Sequence, residues 1–508
     1  MQQKELKQHS PVKNEFAASN GEPVAVRFAK GDPEDPAEGW RKMQRYTALA
    51  LAMFVTYTSA FNATANGAAS GGFREDHPGT TSVVFQTSSF TYLAMLGIGP
   101  LILAPVSETF GRRPQIVICT AIITILFIGM ALAPNIACLS ILRLIQGTAA
   151  SVEGPVAAGV VADLWPKRVR GPAMGLFVLT VFTANATGPL CANWIAFKLN
   201  WHWVYWIQMM SNGLCFLLCL AFFKEPRAEV ILSKRAARLQ KETGVPHYVA
   251  GSDHYESWGQ KLKSSCSRPI LYLTTEPIVT ALSLWTGLAW GSVFLFVGQI
   301  PGIFKTTYGF NTGEAGTVLI CGFIGAALSY FIHLTVQERI FYKNALAKGH
   351  GKASPEVRLY SSSVGALFFA VGLFCFAWTA RPWIHWIVPC IFVVMFNMGI
   401  YQIYLSVYLY LGDAYDTYSS SAQASQSLLR NILGGVFPFF APALYKNLGY
   451  PWASTLLGFI ALAFAVVPWT LIFFGERLRA KSRVARQMEQ QEGDVLVDEP
   501  RMTEVEMP

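Results

Sequence analysis

The sequence is short of charge. Asp, Glu, Lys and Arg together make up 14% of 508 residues, where a water-soluble globular chain carries about 25%. So little charge excludes a surface that meets water on every side, although the length alone would hold several soluble domains. Histidine is scarce as well. His202, His333 and His385 are scattered, and no nucleophile signature accompanies them, which argues against an intramembrane enzyme. The nine cysteines lie almost wholly within apolar runs. They show neither zinc-type spacing nor the pattern of a disulfide framework, and read as small packing residues. No metal or cofactor is expected. The alternating segments of a membrane β-barrel are missing too. No short apolar core follows the amino terminus, so no cleavable leader is expected.

What the chain has instead is long apolar stretches: 52% of its residues are hydrophobic. A helix needs about 20 apolar residues to cross the hydrocarbon layer, and lipid leaves the backbone no alternative partner. The hydropathy predicts twelve spans near residues 44–64, 82–106, 115–134, 136–160, 172–196, 202–223, 275–298, 314–336, 358–380, 383–411, 420–445 and 452–474. The organisation expected is a disordered tail (1–43), a six-helix bundle (44–223), a central loop (224–270), a second bundle (271–474) and a carboxyl-terminal tail (475–508). Lys234–Gly244 within the central loop is a basic amphipathic stretch. With the amino terminus inside, Arg112, Arg113, Lys167, Arg168, Arg170, Arg339, Lys343, Lys348, Lys352 and Arg358 all fall on inner loops. Both termini are therefore expected in the cytoplasm. The net charge of +9 is explained by that topology, and nucleic acid is not expected as a partner.

Few polar residues interrupt the spans, and these carry the candidate chemistry. In the inner loop after span two, Glu108, Gly111, Arg112 and Arg113 combine a carboxylate, guanidinium groups and a turn-permitting glycine. They can act as a gate between states or simply set orientation. Arg143 and Gln146 share a face of span four with Gly147. A charge there costs several kcal/mol unless paired or hydrated, so Arg143 must face inward. Glu153 is the one acidic residue well inside a span of the first half. On a continuous helix it lies about 80° from Arg143, and it is either a proton carrier, a partner for a cationic cargo or a structural carboxylate. Gly188-Pro189 bends span five. Tyr57, Asn62 and Asn66 in span one, Trp285, Trp290, Phe294 and Gln299 along span seven, Tyr401, Tyr404 and Tyr408 in span ten and Arg430 in span eleven are candidates for a cavity wall. Aromatic walls with few polar anchors suit amphiphilic organic molecules. Asp413 and Asp416 sit at the inner mouth after span ten, with no partner assignable. Asn62-Ala-Thr64 and Asn185-Ala-Thr187 match a glycosylation pattern but fall within spans and are discounted.

On these residues the chain resembles the major facilitator superfamily, and more closely its fungal twelve-span drug:proton antiporter branch. The segments that carry the likeness include Ser107-Glu-Thr-Phe-Gly-Arg-Arg-Pro114, Arg143-Leu-Ile-Gln-Gly147, Ala162-Asp-Leu-Trp165, Asn200-Trp-His-Trp-Val-Tyr-Trp206 and Tyr410-Leu-Gly-Asp-Ala-Tyr415. The resemblance implies an all-α membrane protein of two six-helix bundles with a site at their interface. It implies alternating access driven by protons, an inner gate motif of Glu108, Arg112 and Arg113 with Asp163 near the same end, and a part for Arg143 in proton coupling. The sequence departs from the branch at Glu108, where the wider superfamily usually has Asp, at Ala104 and, around Gly188-Pro189, at Ala184, Ala192 and Asn193. The expected function is export of a small organic compound, a secondary metabolite, toxin or drug, by a monomer in the plasma membrane. The vacuolar membrane is the alternative location. An organic-acid carrier using Arg143 and Arg430 and a polyamine exporter are rivals within transport, and a substrate-sensing receptor is the rival outside it.

Overall fold

The computed structural model describes residues 24–29, 31–165, 170–249, 258–347, 354–415 and 418–482. Eleven helical units among them are long and apolar enough to cross a bilayer. Spans one to six are Lys42–Asp76, Ser82–Ser107, Arg112–Ala131, Ile136–Leu164, Arg170–Lys198 and Trp201–Phe222. Pro277–Tyr308, Thr312–Asn344, Pro355–Thr379 and Ile387–Ala414 are spans seven to ten. The last unit, Ser419–Ala480, has 62 residues. At about 1.5 Å per residue it is roughly three times as long as the hydrocarbon is thick. It breaks at Gly449, whose φ of 72° is left-handed, and so supplies spans eleven and twelve. The helices overrun several expected limits. Span seven continues to Tyr308 and span eight to Asn344, because hydropathy marks the lipid-facing stretch and not the polar turns that continue the helix beyond it.

Caps explain the boundaries at one face of the bundle. The side chains of Thr81, Asn135 and Asn200 accept from the backbone N–H of Val84, Cys138 and Trp203 at 3.2, 2.8 and 3.3 Å. Asn311 and Glu314 form a reciprocal capping box at 2.9 Å each way. Spans two, four, six and eight thus each begin on a side-chain cap, worth about 1 kcal/mol apiece.

Short spans three and six show lipid a large share of their surface, through residues such as Ile118, Ile125, Leu214 and Leu217, whereas span seven is the most buried. The halves meet along two lines, span two against span eleven and span five against span eight. Phe90 and Phe439 touch on the first line, with ring centroids 5.6 Å apart.

The expectation that residues 1–43 form a disordered tail needs correction from Val24 onward. Strand β1 (Val24–Val26) pairs in parallel with β2 (His247–Val249). Between spans six and seven, a helix over Ala228–Thr243, ended by left-handed Gly244, lies against both strands. Val26, Leu232, Ala236 and Val249 make a small apolar core with Phe28 and Leu239 at its edge. Arg235 grips Asp32 at 2.5 and 3.0 Å and Glu34 at 2.7 Å. That guanidinium bond holds the Asp32 carboxyl below the usual carboxylate value. The central loop is also partly helical beyond this unit, over Trp258–Thr275. The β1–β2 pair joins a segment before span one to one after span six, so six crossings return the chain to the face where it started. Arg479, at the end of span twelve, pairs with Glu356, at the start of span nine, at 2.9 Å, which ties the end of that span to the same face.

Candidate functional site: a polar core, paired gates and a central seam

Arg143 is fully buried in span four and spends its whole guanidinium on fixed acceptors. Its Nη1 donates to Asn62 Oδ1 at 2.6 Å and Gln146 Oε1 at 3.3 Å, its Nε to the Ser88 carbonyl at 3.4 Å and its Nη2 to the Asn62 carbonyl at 3.5 Å. The Tyr92 ring lies beneath it, 4.2 Å from the guanidinium carbon. Asn66 extends the network to Ser88, Ser89 and the Tyr205 hydroxyl at 3.1, 2.9 and 2.8 Å. These partners come from spans one, two and six. Asn62 therefore belongs to the interior of the first bundle and not to the cavity wall assigned to it from sequence.

Span four carries a turn at Ser151–Val152, between helices that end at Ala150 and start at Glu153, and both turn residues keep right-handed helical backbone angles. The Glu153 side chain is buried, and neither carboxyl oxygen has a hydrogen-bond partner of ordinary geometry. The groups that interact with it are Ser59, Tyr92, Cys119 and Cys219, from spans one, two, three and six. Glu153 thus sits in the first bundle, not at the seam between bundles.

On the face that carries β1 and β2, Arg112 Nε donates to Asp163 at 2.6 Å. The Glu225 carboxylate, at the end of span six, accepts from the backbone N–H of Arg112 and Arg113 at 3.0 and 2.9 Å. An anion at a helix N-terminus meets unpaired N–H groups and the positive end of the dipole. Gly111 makes room: its φ is 101°, and a Cβ there would collide with the Glu225 carboxylate. The side chain of Glu108 lies outside the described residues. The second half carries a matching arrangement. Arg358, at the start of span nine, donates to Asp413 at 2.9 Å and to Glu338 at 3.0 Å, and its guanidinium lies over the Phe341 ring. His333 approaches Glu338 at 3.1 Å, within the π-helical turn His333–Gln337. Asp413 therefore pairs with Arg358 and not with Arg430.

Between the halves runs an aromatic seam. Phe182 of span five packs edge-on against Trp290, Tyr401 and Tyr404, at centroid distances of 5.8, 5.6 and 6.3 Å. Trp290 and Tyr404 stack at 5.3 Å. Arg430 sits over both rings, 5.0 and 4.9 Å from their centres. Toward the face that carries β1 and β2, the Tyr401 and Tyr330 hydroxyls donate to the carbonyls of Gly175 and Pro172, at 2.8 and 3.3 Å. Toward the opposite face, Trp194 Nε1 donates to Thr317 at 2.9 Å. A cavity of about 30 Å³, room for a water or two, is lined by Phe182, Asn185, Val293, Phe296 and Asn397 among others. Gln299, expected in the wall, is half-buried while Val297 and Ile300 beside it line the cavity. Tyr57 instead bonds Thr187 at 2.8 Å, joining spans one and five. Gly188 lets those two spans touch, since a Cβ would fall 2.6 Å from the Thr64 hydroxyl and 2.9 Å from the Phe61 carbonyl oxygen. Pro189 lies inside the same helix.

Sequence reasoning missed Glu225, Phe182 and the pairing of Arg358 with Asp413 and Glu338. A carboxylate among inner-loop cations was the one available signal for Glu225. Phe182 had none, being one apolar residue in an apolar span.

Comparison with known proteins agrees with this geometry. The family model for the Major Facilitator Superfamily matches residues 48–438. The MFS transporter cpaT of Aspergillus oryzae is 30% identical over 92% of this chain and 94% of its own length. The MFS-type efflux pump MFS2 of Trichophyton rubrum is 31% identical over 92% of this chain and 78% of its own. The efflux pump atB of Aspergillus terreus is 34% identical over 77% and 83%. The solved structure of the human organic anion transporter MFSD10 (TETRAN) superposes with a TM-score of 0.55 at 14% identity, covering 84% of this chain and 99% of that one, which speaks for the fold alone. The chain is a multi-pass membrane transporter, not an enzyme, and it belongs to the Major Facilitator Superfamily, in the company of fungal efflux transporters.

Proposed function

We propose that this transporter exports a small organic compound across a fungal plasma membrane by proton antiport, as a monomer with both termini in the cytoplasm. The observation that carries the proton-coupled reading is Glu153. It is buried in the first bundle, just after a turn in span four, and neither carboxyl oxygen has a hydrogen-bond partner of ordinary geometry. An ionised carboxylate without a partner is costly there, and a carboxylic acid is much less so. Arrival and departure of a proton would therefore shift the balance between two packings of the bundle. The orientation rests on Arg112, Arg113 and Arg358, which lie on the face shared by the chain's ends. Alternating access would break the inner contacts of Tyr401 and Tyr330 while the Trp194–Thr317 contact holds, and then reverse. The aromatic seam suits an amphiphilic cargo.

The test combines two comparisons. Metabolites secreted by fungal cells with and without the gene are compared without preselection. Vesicles containing the purified chain are then loaded with whichever compound changes, and its movement is followed with and without a pH gradient. The reading requires a compound that accumulates inside cells lacking the gene and leaves vesicles faster when a gradient is imposed. Secretion unaltered by loss of the gene, or movement indifferent to the gradient, would contradict it.

A further inference from the structure

We infer that the seam takes its cargo as an organic anion: a carboxylate on a planar aromatic or conjugated skeleton, with the charge on Arg430 and the skeleton beside Trp290 and Tyr404. The inference rests on the reading that small organic compounds pass through this seam. Its starting point is the contrast between two arginines inside the spans. Arg143 donates from Nε, Nη1 and Nη2 to fixed oxygens. Arg430 has one hydrogen bond among the described residues, from Nη2 to the Ser427 hydroxyl at 3.2 Å. Its Nε is buried and has no acceptor. Among the described residues no carboxylate pairs with it, whereas Arg112 and Arg358 each have one. Cation–π contacts return less than burying a guanidinium costs, so its charge is only partly compensated by Trp290 and Tyr404.

Two further unpaired groups lie along the seam. Trp290 is 5% exposed and its indole N–H has no acceptor. Asn185 is 4% exposed, faces the cavity from the opposite half, and leaves both its amide oxygen and its amide nitrogen unpaired. The seam thus holds a guanidinium N–H at the Trp290 and Tyr404 rings, an indole N–H on Trp290 itself, and an unpaired amide in the neighbouring cavity, which Phe182 also lines. A guanidinium fork matches a carboxylate, and stacked rings match a flat skeleton. A cation would meet Arg430 first, and like charges repel in a dry site.

The test is equilibrium binding to the purified full-length chain in lipid nanodiscs, with no gradient present. The probes are naphthoate, its methyl ester and naphthylmethylamine, which share one skeleton and differ in charge. Naphthoate should bind more tightly than the other two. Arg430→Gln should weaken naphthoate about 10- to 100-fold, the effect of losing one charge-assisted hydrogen bond, and leave the ester unchanged. Arg430→Lys, which keeps the charge but not the fork, should fall between, and its thermal unfolding shows that the fold survives. Naphthoate binding unaffected by Arg430→Gln, an amine that binds as well as the acid, or no naphthoate binding at all would overturn the assignment. Because no proton gradient is involved, failure of antiport leaves this result untouched. Vesicles that still move a neutral cargo while naphthoate ignores Arg430 would sink the anion site alone.

Discussion

Arg112 reaches Asp163 at 2.6 Å, joining the start of span three to the end of span four. Arg358 and Asp413 repeat this at 2.9 Å between spans nine and ten. Each half therefore carries its own clamp, both on the face where β1 and β2 lie. The two halves differ in what surrounds the clamp. In the first, the Glu225 carboxylate caps span three. In the second, Glu338 and His333 from span eight join the arginine, and Gly171 of span five lies against Glu338. The second clamp thus touches the opposite bundle.

Asp163→Asn and Asp413→Asn should each slow transport with normal amounts of protein at the membrane. Asp163→Asn leaves the Arg112 guanidinium uncompensated, at a cost of about 3 kcal/mol, whereas Asp413→Asn leaves Arg358 still paired with Glu338 and should cost less. Efflux rates and thermal unfolding of both variants check this. Wild-type rates in both would mean the pairs only orient the chain.

Tyr401→Phe removes one hydrogen bond between the halves, the one to the Gly175 carbonyl. Such a bond contributes about 1 kcal/mol, so the inner-open population should rise roughly fivefold. The labelling rate of a single cysteine introduced at Asn185, approached from the inner face, measures it. A rate equal to that of the parent would show that this contact does not hold the gate.

Arg143→Lys and Arg143→Gln should both destabilise the first bundle, by about 3 kcal/mol or more, because an ammonium cannot reach the spread of acceptors from Asn62 to Ser88 and an amide leaves them orphaned. Thermal unfolding in nanodiscs checks it. A lysine variant as stable as wild type would mean the network is dispensable for folding.

The amino-terminal latch has a pH dependence whose sign is set by Asp32. Its folded carboxyl value is depressed by the Arg235 hydrogen bond. The stabilisation is therefore complete above the unfolded aspartate value, about 3.9, and is lost as pH falls through the lower folded value. Hydrogen exchange over residues 24–34 and 228–249 should speed up on acidification in that range. Arg235→Gln should loosen the latch at neutral pH and erase the acid step. Exchange equally slow in this variant would show that the apolar core of Val26, Leu232 and Val249 suffices.

The spans were legible because hydrocarbon imposes one requirement on about 20 consecutive residues, and that averages out local noise. The caps at Thr81, Asn135, Asn200 and Asn311 were legible in principle for a different reason: a short polar side chain just ahead of an apolar run has few other uses there. The β1–β2 pair was not. Val24–Val26 is three residues long, and its partner lies across six spans. Glu153 was recognised as singular, while nothing local announces the turn at Ser151–Val152 just ahead of it. Asp413 was singled out, but its partner Arg358 is 55 residues away, and no helical periodicity connects two separate spans.

The central claim is that Glu153 carries the coupled proton. The most direct measurement records proton and cargo fluxes together in vesicles containing the wild-type chain or Glu153→Gln, under an imposed pH gradient. The account predicts that the glutamine variant, present in equal amount, loses gradient-driven cargo movement and the accompanying proton flux, while still exchanging cargo when no gradient is applied. Undiminished gradient-driven efflux by Glu153→Gln, with its proton flux intact, would contradict it.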